Sequence, residues 1–304
     1  MKNEFKYSHN VHHALQSGQP VLALESTIIA HGMPYPENLE FAREAEALAL
    51  ENGATPATVA ILDGQVCIGL DEAQLTQLAT DPSVGKVATR EIALTLAQKG
   101  NGATTVSATM KLSHLAGIKV FATGGIGGVH RGAEDDMDVS ADLIELSRTP
   151  VMVISAGAKA ILDLPRTLEY LETMSVPVIG YQTDDFPAFY SRRSGLPIPQ
   201  RLDEVEMIAG TFANQISLGI SSGLLIANPV PENIEISYDE MRVHIDTALR
   251  DARAQGILGK ALTPFLLGRI VELTGGRSLV TNRALALNNV KLGAKIAVSL
   301  AERA

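Results

Sequence analysis

Residues 150–180, PVMVISAGAKAILDLPRTLEYLETMSVPVIG, contain two short apolar runs separated by a longer amphipathic stretch. The apolar runs, Val151–Ser155 and Val176–Gly180, have the length and composition of buried strands. The intervening residues 159–173 have helical periodicity, which predicts a helix beginning directly after a tight Ala-Gly-Ala turn. A strand, a helix and a second strand in succession are typical of a parallel sheet covered by helices.

The same alternation continues along most of the chain. Further strands are predicted at Val21–Leu24, Thr58–Leu62, Lys119–Ala122 and Gly223–Ala227, and further helices at 38–51, 71–79, 91–99, 107–116, 139–147 and 203–219. After Pro231 the pattern is mostly helical, through 238–255, 263–274 and 278–301. Asp63-Gly64 precedes Gln65–Leu70 and predicts a hairpin that adds an antiparallel edge. We expect a single domain over residues 1–304, an α/β/α layered fold with a mostly parallel central sheet and a helical C-terminal part. Residues 184–201 are predicted to form a loop that serves as a lid or a subunit contact.

The composition excludes several classes of protein. With 46% hydrophobic and 19% charged residues in a chain of 304, the protein is folded rather than disordered. A net charge of −9 argues against binding to nucleic acid or to an anionic membrane surface, but not against a small anionic substrate. The one cysteine, Cys67, indicates a reducing compartment. The N-terminal residues lack the apolar core of a signal peptide, and no apolar run reaches the ~20 residues of a membrane span, so we expect a cytoplasmic protein.

Two residues that follow predicted strands are candidates for catalysis. Glu25 follows Val21–Leu24, and ligands bind at the carboxyl ends of strands in open α/β sheets. Its apolar flanks predict a raised pKa and a role as a proton donor; the alternative is a carboxylate that caps backbone amides. Lys159 is predicted to lie in the first turn of the helix after Val151–Ser155, where the helix dipole disfavours a cation. Partial burial there would favour a neutral, nucleophilic amine, and the alternative is a lysine that reaches solvent.

A glycine-rich segment and an acidic run suggest binding sites. Residues 121–132, FATGGIGGVHRG, combine close backbone approach with the cationic His130 and Arg131, which suits a phosphate; a simple turn between packed elements fits equally well. The segment matches neither the dinucleotide fingerprint nor a P-loop. Residues 134–142, EDDMDVSAD, offer oxygen ligands for Mg²⁺ or Mn²⁺, with waters completing the coordination. A helix start capped by Ser140 explains the same residues, and we prefer it for Glu134, Asp135 and Asp136.

A nucleophilic lysine, an acid, a phosphate-binding loop and a divalent cation together fit Schiff-base chemistry on a sugar phosphate. The residues therefore indicate a lysine-dependent lyase acting on a small phosphorylated carbonyl compound. The two asparagines Asn288 and Asn289 are placed in the last helix, where they would face solvent or another subunit.

Long ordered blocks of this sequence resemble the pseudouridine-5′-phosphate glycosidase family, also called indigoidine-synthase-A-like. The blocks are ALESTIIAHGMPYPEN (23–38), NGATTVSATM (101–110), KVFATGGIGGVHRGAE (119–134), DVSADL (138–143), SAGAKAILDL (155–164), EYLET (169–173), PVIGYQT (177–183), ANPVPE (227–232), GKALTPFLL (259–267) and ELTGG (272–276). They extend from Val21 to the last helix. The resemblance implies reversible cleavage of the C-glycosidic bond of pseudouridine 5′-phosphate to uracil and ribose 5-phosphate.

The resemblance also implies a role for each matching residue. Lys159 is the nucleophile that forms a covalent imine with the ribose, and Glu25 is the proton donor. Asp138 is the ligand of one Mn²⁺ per subunit, with other divalent ions such as Mg²⁺ as substitutes. The implied substrate contacts are Lys86, the backbone of Val106, Thr123, His130, Ser140, Ala141, Asp142 and Asn282. The implied assembly is a homotrimer.

Two kinds of rival function remain open at this stage. One is a different enzyme on the same scaffold, either the pigment-pathway branch of the family or a Schiff-base aldolase acting on another phosphosugar. The other is a sugar-phosphate sensor without catalytic activity. Product analysis distinguishes the enzymes from one another, and chemical trapping of a lysine adduct distinguishes an enzyme from a sensor.

Overall fold

A computed structural model describes residues 5–257 and 262–303 of the chain. Within these residues the strands are Lys6–Tyr7 (β1), Val21–Leu24 (β2), Thr55–Leu62 (β3), Gln65–Ile68 (β4), Gly85–Val87 (β5), Gly102–Thr104 (β6), Val120–Ala122 (β7), Met152–Ser155 (β8), Val178–Tyr181 (β9), Gln200–Leu202 (β10) and Leu224–Ala227 (β11). The first three residues of the GKALTPFLL block, 259–261, lie outside the described residues.

The α-helices are His9–Gln16 (α1), Glu37–Glu51 (α2), Glu72–Thr80 (α3), Ile92–Ala97 (α4), Val106–Leu115 (α5), Ala133–Asp136 (α6), Ala141–Leu146 (α7), Leu164–Thr173 (α8), Val205–Ser217 (α9), Tyr238–Ala254 (α10), Leu262–Leu273 (α11) and Arg277–Ala301 (α12). None of the helices among the described residues is both long enough and apolar enough to cross a bilayer. Cys67 is a buried free thiol.

The strands form one mixed sheet in the order β1-β4-β3-β2-β7-β8-β11-β9-β10, with β6 pairing with β3 and with β5. Every pairing from β3–β2 through to β9–β10 is parallel. The predicted hairpin is present, since β3 and β4 pair antiparallel around Asp63 and Gly64. It does not form the edge of the sheet, however, because the short strand β1 pairs with the outer side of β4.

The centre of the sheet is apolar along its whole length. All four residues of each of β2, β8 and β11 are buried, which is typical of parallel strands covered on both faces. The 25-residue helix α12 contacts β2, β7 and β8 and also packs on α2 and α9, whereas α5 contacts β2 and β7 and packs on α7. The predicted α/β class, the mostly parallel sheet and the helical C-terminal part are confirmed.

The helix predicted at 159–173 begins five residues later than expected. Asp163 caps α8 by accepting a hydrogen bond from the Arg166 N–H (3.1 Å), and Pro165 occupies the first turn. Proline in the first turn sacrifices no intrahelical hydrogen bond, so Asp163 and Pro165 together place the start at Leu164. Residues 156–163 are therefore an ordered loop, and the prediction that Lys159 lies in the first turn of a helix is wrong.

Residues 184–201 are mostly irregular, as predicted, but their aromatic side chains are not exposed. Phe186, Phe189 and Tyr190 are at most 3% exposed, and the Phe189 N–H donates to the Ala156 carbonyl (3.0 Å). This segment packs against the loop that carries Lys159 and so belongs to the wall of the site.

Candidate active site

The candidate catalytic side chains lie where the parallel strands end. Glu25 follows β2, Thr123 follows β7, and the loop with Lys159 follows β8. Because β2, β7 and β8 are neighbours in one parallel sheet, these three segments meet at a single edge. The sequence predicted this convergence for Glu25 and Lys159.

Glu25 is held by one hydroxyl group. Thr123 Oγ1 donates a hydrogen bond to Glu25 Oε1, and both residues border a small, mainly apolar cavity with Phe41 and Val290. Burial raises the pKa of Glu25, opposed first by the positive charge of Lys159 and then by the Thr123 hydrogen bond. The predicted direction of the pKa change is confirmed. The carboxylate accepts a hydrogen bond from a side chain, that of Thr123, rather than capping backbone amides.

Lys159 is fixed through its backbone. Its N–H donates to the Ile126 carbonyl (3.0 Å), and its own carbonyl accepts from the Leu162 N–H (3.0 Å). The Lys159 ammonium interacts electrostatically with Glu25. The sequence-based argument from the helix dipole does not apply to Lys159, which precedes the start of α8 by five residues.

Gly157 determines the path of the loop that carries Lys159. Its φ of +80° is in the left-handed region, and a Cβ built there would overlap the Pro187 carbonyl oxygen. We expect Gly157→Ala to lower the free energy of unfolding by about 2 kcal/mol or more and to reduce turnover, because the loop must shift. Thermal unfolding and initial rates measure the two effects.

Gly117→Ala is the matched control for this prediction. Gly117 also has a left-handed φ, of +86°, but a Cβ there would meet nothing within 4 Å. It should therefore cost only the backbone strain, about 1–2 kcal/mol, and leave turnover unchanged. Equal losses of turnover in the two variants would refute the steric argument.

Lys86, on β5, lies close enough to Lys159, Glu25 and Asp142 to interact electrostatically with all three. Lys86 is an exposed residue, but partial desolvation of its ammonium group lowers its pKa, and the like charge of Lys159 lowers it further, against the raising effect of Asp142, Glu25 and Glu91. Desolvation is the largest of these effects, so the pKa of Lys86 is lowered despite its carboxylate neighbours.

Asp142 connects two backbone segments that line the site. Its Oδ1 accepts from the Ser107 N–H (2.9 Å) in the first turn of α5, and its Oδ2 accepts from the Gly127 N–H (2.8 Å) in the glycine-rich segment. Val106 immediately precedes Ser107 as the first residue of α5. Asp142 is buried, so these two bonds compensate for the loss of hydration of its carboxylate.

Ser140 caps α7 as the sequence predicted. Its Oγ accepts from the Asp142 N–H (3.2 Å), and Ala141 is the first residue of the helix. A Cβ at Gly127 would overlap Ser140 Oγ, so the glycine-rich segment and the start of α7 touch. The substrate residues predicted from both segments are thus close together.

His130 and Asp138 face each other across a short antiparallel connection. The His130 N–H donates to the Asp138 carbonyl (3.0 Å), and His130 Nδ1 is 3.9 Å from Asp138 Oδ2. The Asp138 side chain is 40% exposed. Glu134, in contrast, forms an ion pair with Arg166, which agrees with its predicted structural role.

Asn282, on α12, lies beside the glycine-rich segment, since a Cβ at Gly124 would be 3.5 Å from Asn282 Oδ1. Asn289, two turns further along α12, is 0% exposed, so the expectation that it faces solvent or another subunit is wrong. Its Nδ2 donates to the Thr123 carbonyl (2.7 Å), and its Oδ1 accepts from Asn228 Nδ2 (2.9 Å). Sequence reasoning missed Asn228, although it directly follows the apolar run Gly223–Ala227 just as Glu25 follows β2.

The arrangement can perform proton transfer and nucleophilic attack at one place. A carboxyl group with a raised pKa can donate a proton, and a lysine beside it can attack a carbonyl-level carbon. The second lysine suits an anionic group, whereas several backbone N–H groups of the glycine-rich segment, those of Ile126, Gly127, Val129 and His130, already donate within the protein. These are the elements required for Schiff-base chemistry on a phosphorylated sugar.

Comparison with known proteins gives matches over nearly the whole chain. Residues 10–299 match the family described as indigoidine synthase A like protein. A pseudouridine-5′-phosphate glycosidase of Methylobacterium nodulans is 56% identical over 294 residues, covering 97% of this chain and 87% of that protein. A protein of the same name from Staphylococcus aureus is 51% identical over 300 residues, covering 99% and 98%.

Two solved structures are also similar. The prealnumycin C-glycosynthase AlnA in complex with ribulose 5-phosphate superposes with a TM-score of 0.92 at 34% identity, covering 98% of this chain and 97% of that one. An indigoidine synthase A-like protein from Thermotoga maritima gives a TM-score of 0.89 at 38% identity, covering 98% and 96%.

Proposed function

Because the chain belongs to the indigoidine synthase A-like family, we propose that it is an enzyme, a pseudouridine-5′-phosphate glycosidase that converts pseudouridine 5′-phosphate and water to uracil and ribose 5-phosphate, reversibly. The observation that carries the proposal is the electrostatic proximity of Glu25, Lys159 and Lys86 to one another. Relatives of that name, 51–56% identical to this chain over nearly its full length, support the choice of substrate.

The first chemical step in the proposal is attack by Lys159. The unprotonated Nζ bonds to C1′ of the substrate while the bond from C1′ to the ring oxygen breaks, and that oxygen takes up a proton. The ring-opened adduct then carries nitrogen and uracil on the same carbon. The position of Lys159 between Ile126 and Leu162 supports this role, because its backbone is held on both sides.

The second step is departure of uracil. The nitrogen lone pair of Lys159 forms a C=N bond at C1′ as the bond from C1′ to C5 of uracil breaks, and Glu25 delivers the proton that C5 requires. A carboxyl group with a raised pKa is suited to this task, because it retains its proton closer to neutral pH. Water then hydrolyses the imine and releases ribose 5-phosphate.

Substrate contacts are proposed for the residues around these two groups. Lys86 and the backbone near Val106 are assigned to the phosphate and ribose, together with Ser140, Ala141 and Asp142. Asn282 is assigned to the edge of uracil, which an amide side chain can match in both donors and acceptors. Thr123 lines the pocket beside Glu25, and His130 lies within the glycine-rich segment, residues 121–132.

A divalent metal, Mn²⁺ or Mg²⁺, is proposed at Asp138. The residues fit a hard cation held by one carboxylate and waters: the carboxylate is partly exposed, and the His130 imidazole 3.9 Å away is a further donor that Mn²⁺ accepts. Among residues 5–257 and 262–303 the structure brings together no group of three or more His, Cys, Asp or Glu side chains able to hold a metal. When bound, the ion would neutralise negative charge on the substrate.

Asp138→Ala is expected to leave a folded protein whose turnover no longer responds to added Mn²⁺. The reason is that removal of the one carboxylate leaves only weak neutral ligands. Titration of metal-stripped protein with Mn²⁺, followed by activity and by metal binding, measures the effect. Glu134→Ala is the control, because Glu134 lies on the same segment but pairs with Arg166. Full metal-stimulated turnover in Asp138→Ala would show that the ligand assignment is wrong.

Incubation of the purified protein with pseudouridine 5′-phosphate and Mn²⁺ tests the proposed function, with release of uracil as the expected result. The structure of the C-glycosynthase with ribulose 5-phosphate makes bond formation between a pentose phosphate and another acceptor the second candidate. The glycosidase assignment would be refuted if the protein neither released uracil from pseudouridine 5′-phosphate nor formed pseudouridine 5′-phosphate from uracil and ribose 5-phosphate. Light scattering tests the homotrimer, and fractionation of cells tests the cytoplasmic location.

A further inference from the structure

Two buried asparagine side chains, Asn289 and Asn228, are hydrogen-bonded to each other beside Thr123, the residue that binds Glu25. Asn289 on α12 is fully buried, and Asn228 at the end of β11 is 5% exposed. Asn228 Nδ2 donates to Asn289 Oδ1 (2.9 Å), and Asn289 Nδ2 donates to the carbonyls of Thr123 (2.7 Å) and Gly124 (3.3 Å). The Asn228 N–H donates to the Ser155 carbonyl (2.8 Å). The two side-chain amides thus join α12 to the residues that follow β7 and β11, and the backbone of Asn228 joins β11 to β8.

Buried amides of this kind are costly unless fully hydrogen-bonded, and apolar side chains would fill the same space without that cost. Around the pair the sheet is apolar, and the other buried residues of α12 in this region include Leu285, Ala286 and Val290. The amide of Asn289 is therefore explained by its hydrogen bonds rather than by packing. It donates to the backbone carbonyl of Thr123, the residue whose hydroxyl group binds Glu25.

We infer that Asn289 is a positioning residue for catalysis, which acts through Thr123 to hold the carboxyl group of Glu25, with Asn228 fixing the orientation of the Asn289 amide. The Asn289 amide fixes the backbone carbonyl of Thr123, and the hydroxyl of the same residue donates to Glu25. One side chain therefore controls both the location and the hydrogen bonding of the proton donor. The contact with Gly124 extends the effect to the segment beside Asn282.

This inference rests on the proposed function, and its test uses the same assay with wild-type turnover as the reference. We expect Asn289→Leu to lower kcat for pseudouridine 5′-phosphate by about 10-fold or more, with KM changed less than 3-fold, because the proton donor rather than the substrate contacts is displaced. The pH profile is the readout that a merely structural role would not move. The Thr123 hydrogen bond lowers the pKa of Glu25, so its loss should move the high-pH limb of kcat to higher pH.

A double-variant cycle tests the route of the effect. Thr123→Val should move the same limb in the same direction, and Asn289→Leu in the Thr123→Val background should move it no further, since the two residues act in series. Asn228→Ala should produce a smaller change of the same kind. If Asn289→Leu does not fold, kcat and the pH profile are measured instead on Asn228→Ala, on Thr123→Val and on the double variant.

Gln215→Met is the matched control. Gln215 is also a buried amide that donates to a backbone carbonyl, that of Ser222 (2.5 Å), but it lies on α9 away from Glu25. It should lose stability without any change in the pH profile. The inference is overturned if Asn289→Leu, or Asn228→Ala in its place, loses kcat with an unmoved limb, or if the effects of Asn289→Leu and Thr123→Val add. A wild-type protein that releases no uracil contradicts the proposed function instead.

Discussion

Lys159→Ala is expected to lose cleavage of pseudouridine 5′-phosphate by about 10⁴-fold or more, as for removal of the nucleophile in other covalent enzymes. Without its amine the proposed bond from Lys159 to C1′ cannot form. The variant should fold, because the loop is held by backbone hydrogen bonds and by Gly157 rather than by the Lys159 side chain. Uracil release under saturating substrate is the measurement.

The same residue should be labelled covalently in the reverse direction. Ribose 5-phosphate presents an open-chain aldehyde, and borohydride should reduce its imine to a ribityl phosphate adduct on Lys159. Lys86 is the competing amine, and the structure makes it a serious one, because desolvation and Lys159 both lower its pKa. Peptide mapping of the reduced protein therefore shows which of the two lysines carries the adduct. An adduct on Lys86, or cleavage that survives in Lys159→Ala, would contradict the covalent assignment while leaving the fold and the substrate class intact. Lys86→Met is the matched control: it should weaken binding yet still trap at Lys159.

Glu25→Gln should lower turnover by about 10²–10⁴-fold, the range typical of general acid–base groups. The amide accepts the Thr123 hydrogen bond in the same shape but cannot transfer a proton, so binding of ribose 5-phosphate should persist. Initial rates and a binding titration measure the two quantities separately.

The pH dependence of Glu25 has a defined sign. Burial raises the pKa of its carboxyl group, and the protonated form is the donor. Activity should therefore fall as the pH rises through this raised pKa, and that limb should be missing from the residual rate of Glu25→Gln. A high-pH limb that is the same in both proteins would remove Glu25 from the mechanism.

The fold was predictable because parallel strands produce a strong sequence signal. Runs such as Val21–Leu24 and Leu224–Ala227 are apolar at every position, and the helices between them have clear periodicity. The same logic placed Glu25 and Lys159 at the edge where strands end. The boundaries were less predictable, since Asp163 and Pro165 start α8 at Leu164, five residues after the start predicted at Lys159.

The sequence alone could not show which residues from distant segments become neighbours in the folded protein. Three electrostatic neighbours of Lys86, namely Glu25, Asp142 and Lys159, come from distant parts of the chain, so the direction of its pKa depends largely on packing. Asn289 lies in a helix whose pattern does not distinguish an outward amide from one directed at the end of β7. Only the three-dimensional contact with Thr123 reveals it.

The hydrogen bond from Asn289 to Thr123 spans 166 residues, and α12 also contacts β2, β7 and β8. On the ribosome, the strands that carry Glu25, Thr123 and Lys159 emerge well before this helix does. Until it docks, one apolar surface of those strands is uncovered, and exposed strands of that kind are prone to aggregation. Long-range pairings also form late in folding. The segments that carry Glu25, Thr123 and Lys159 therefore gain this hydrogen bond and this cover only after α12 has been synthesised.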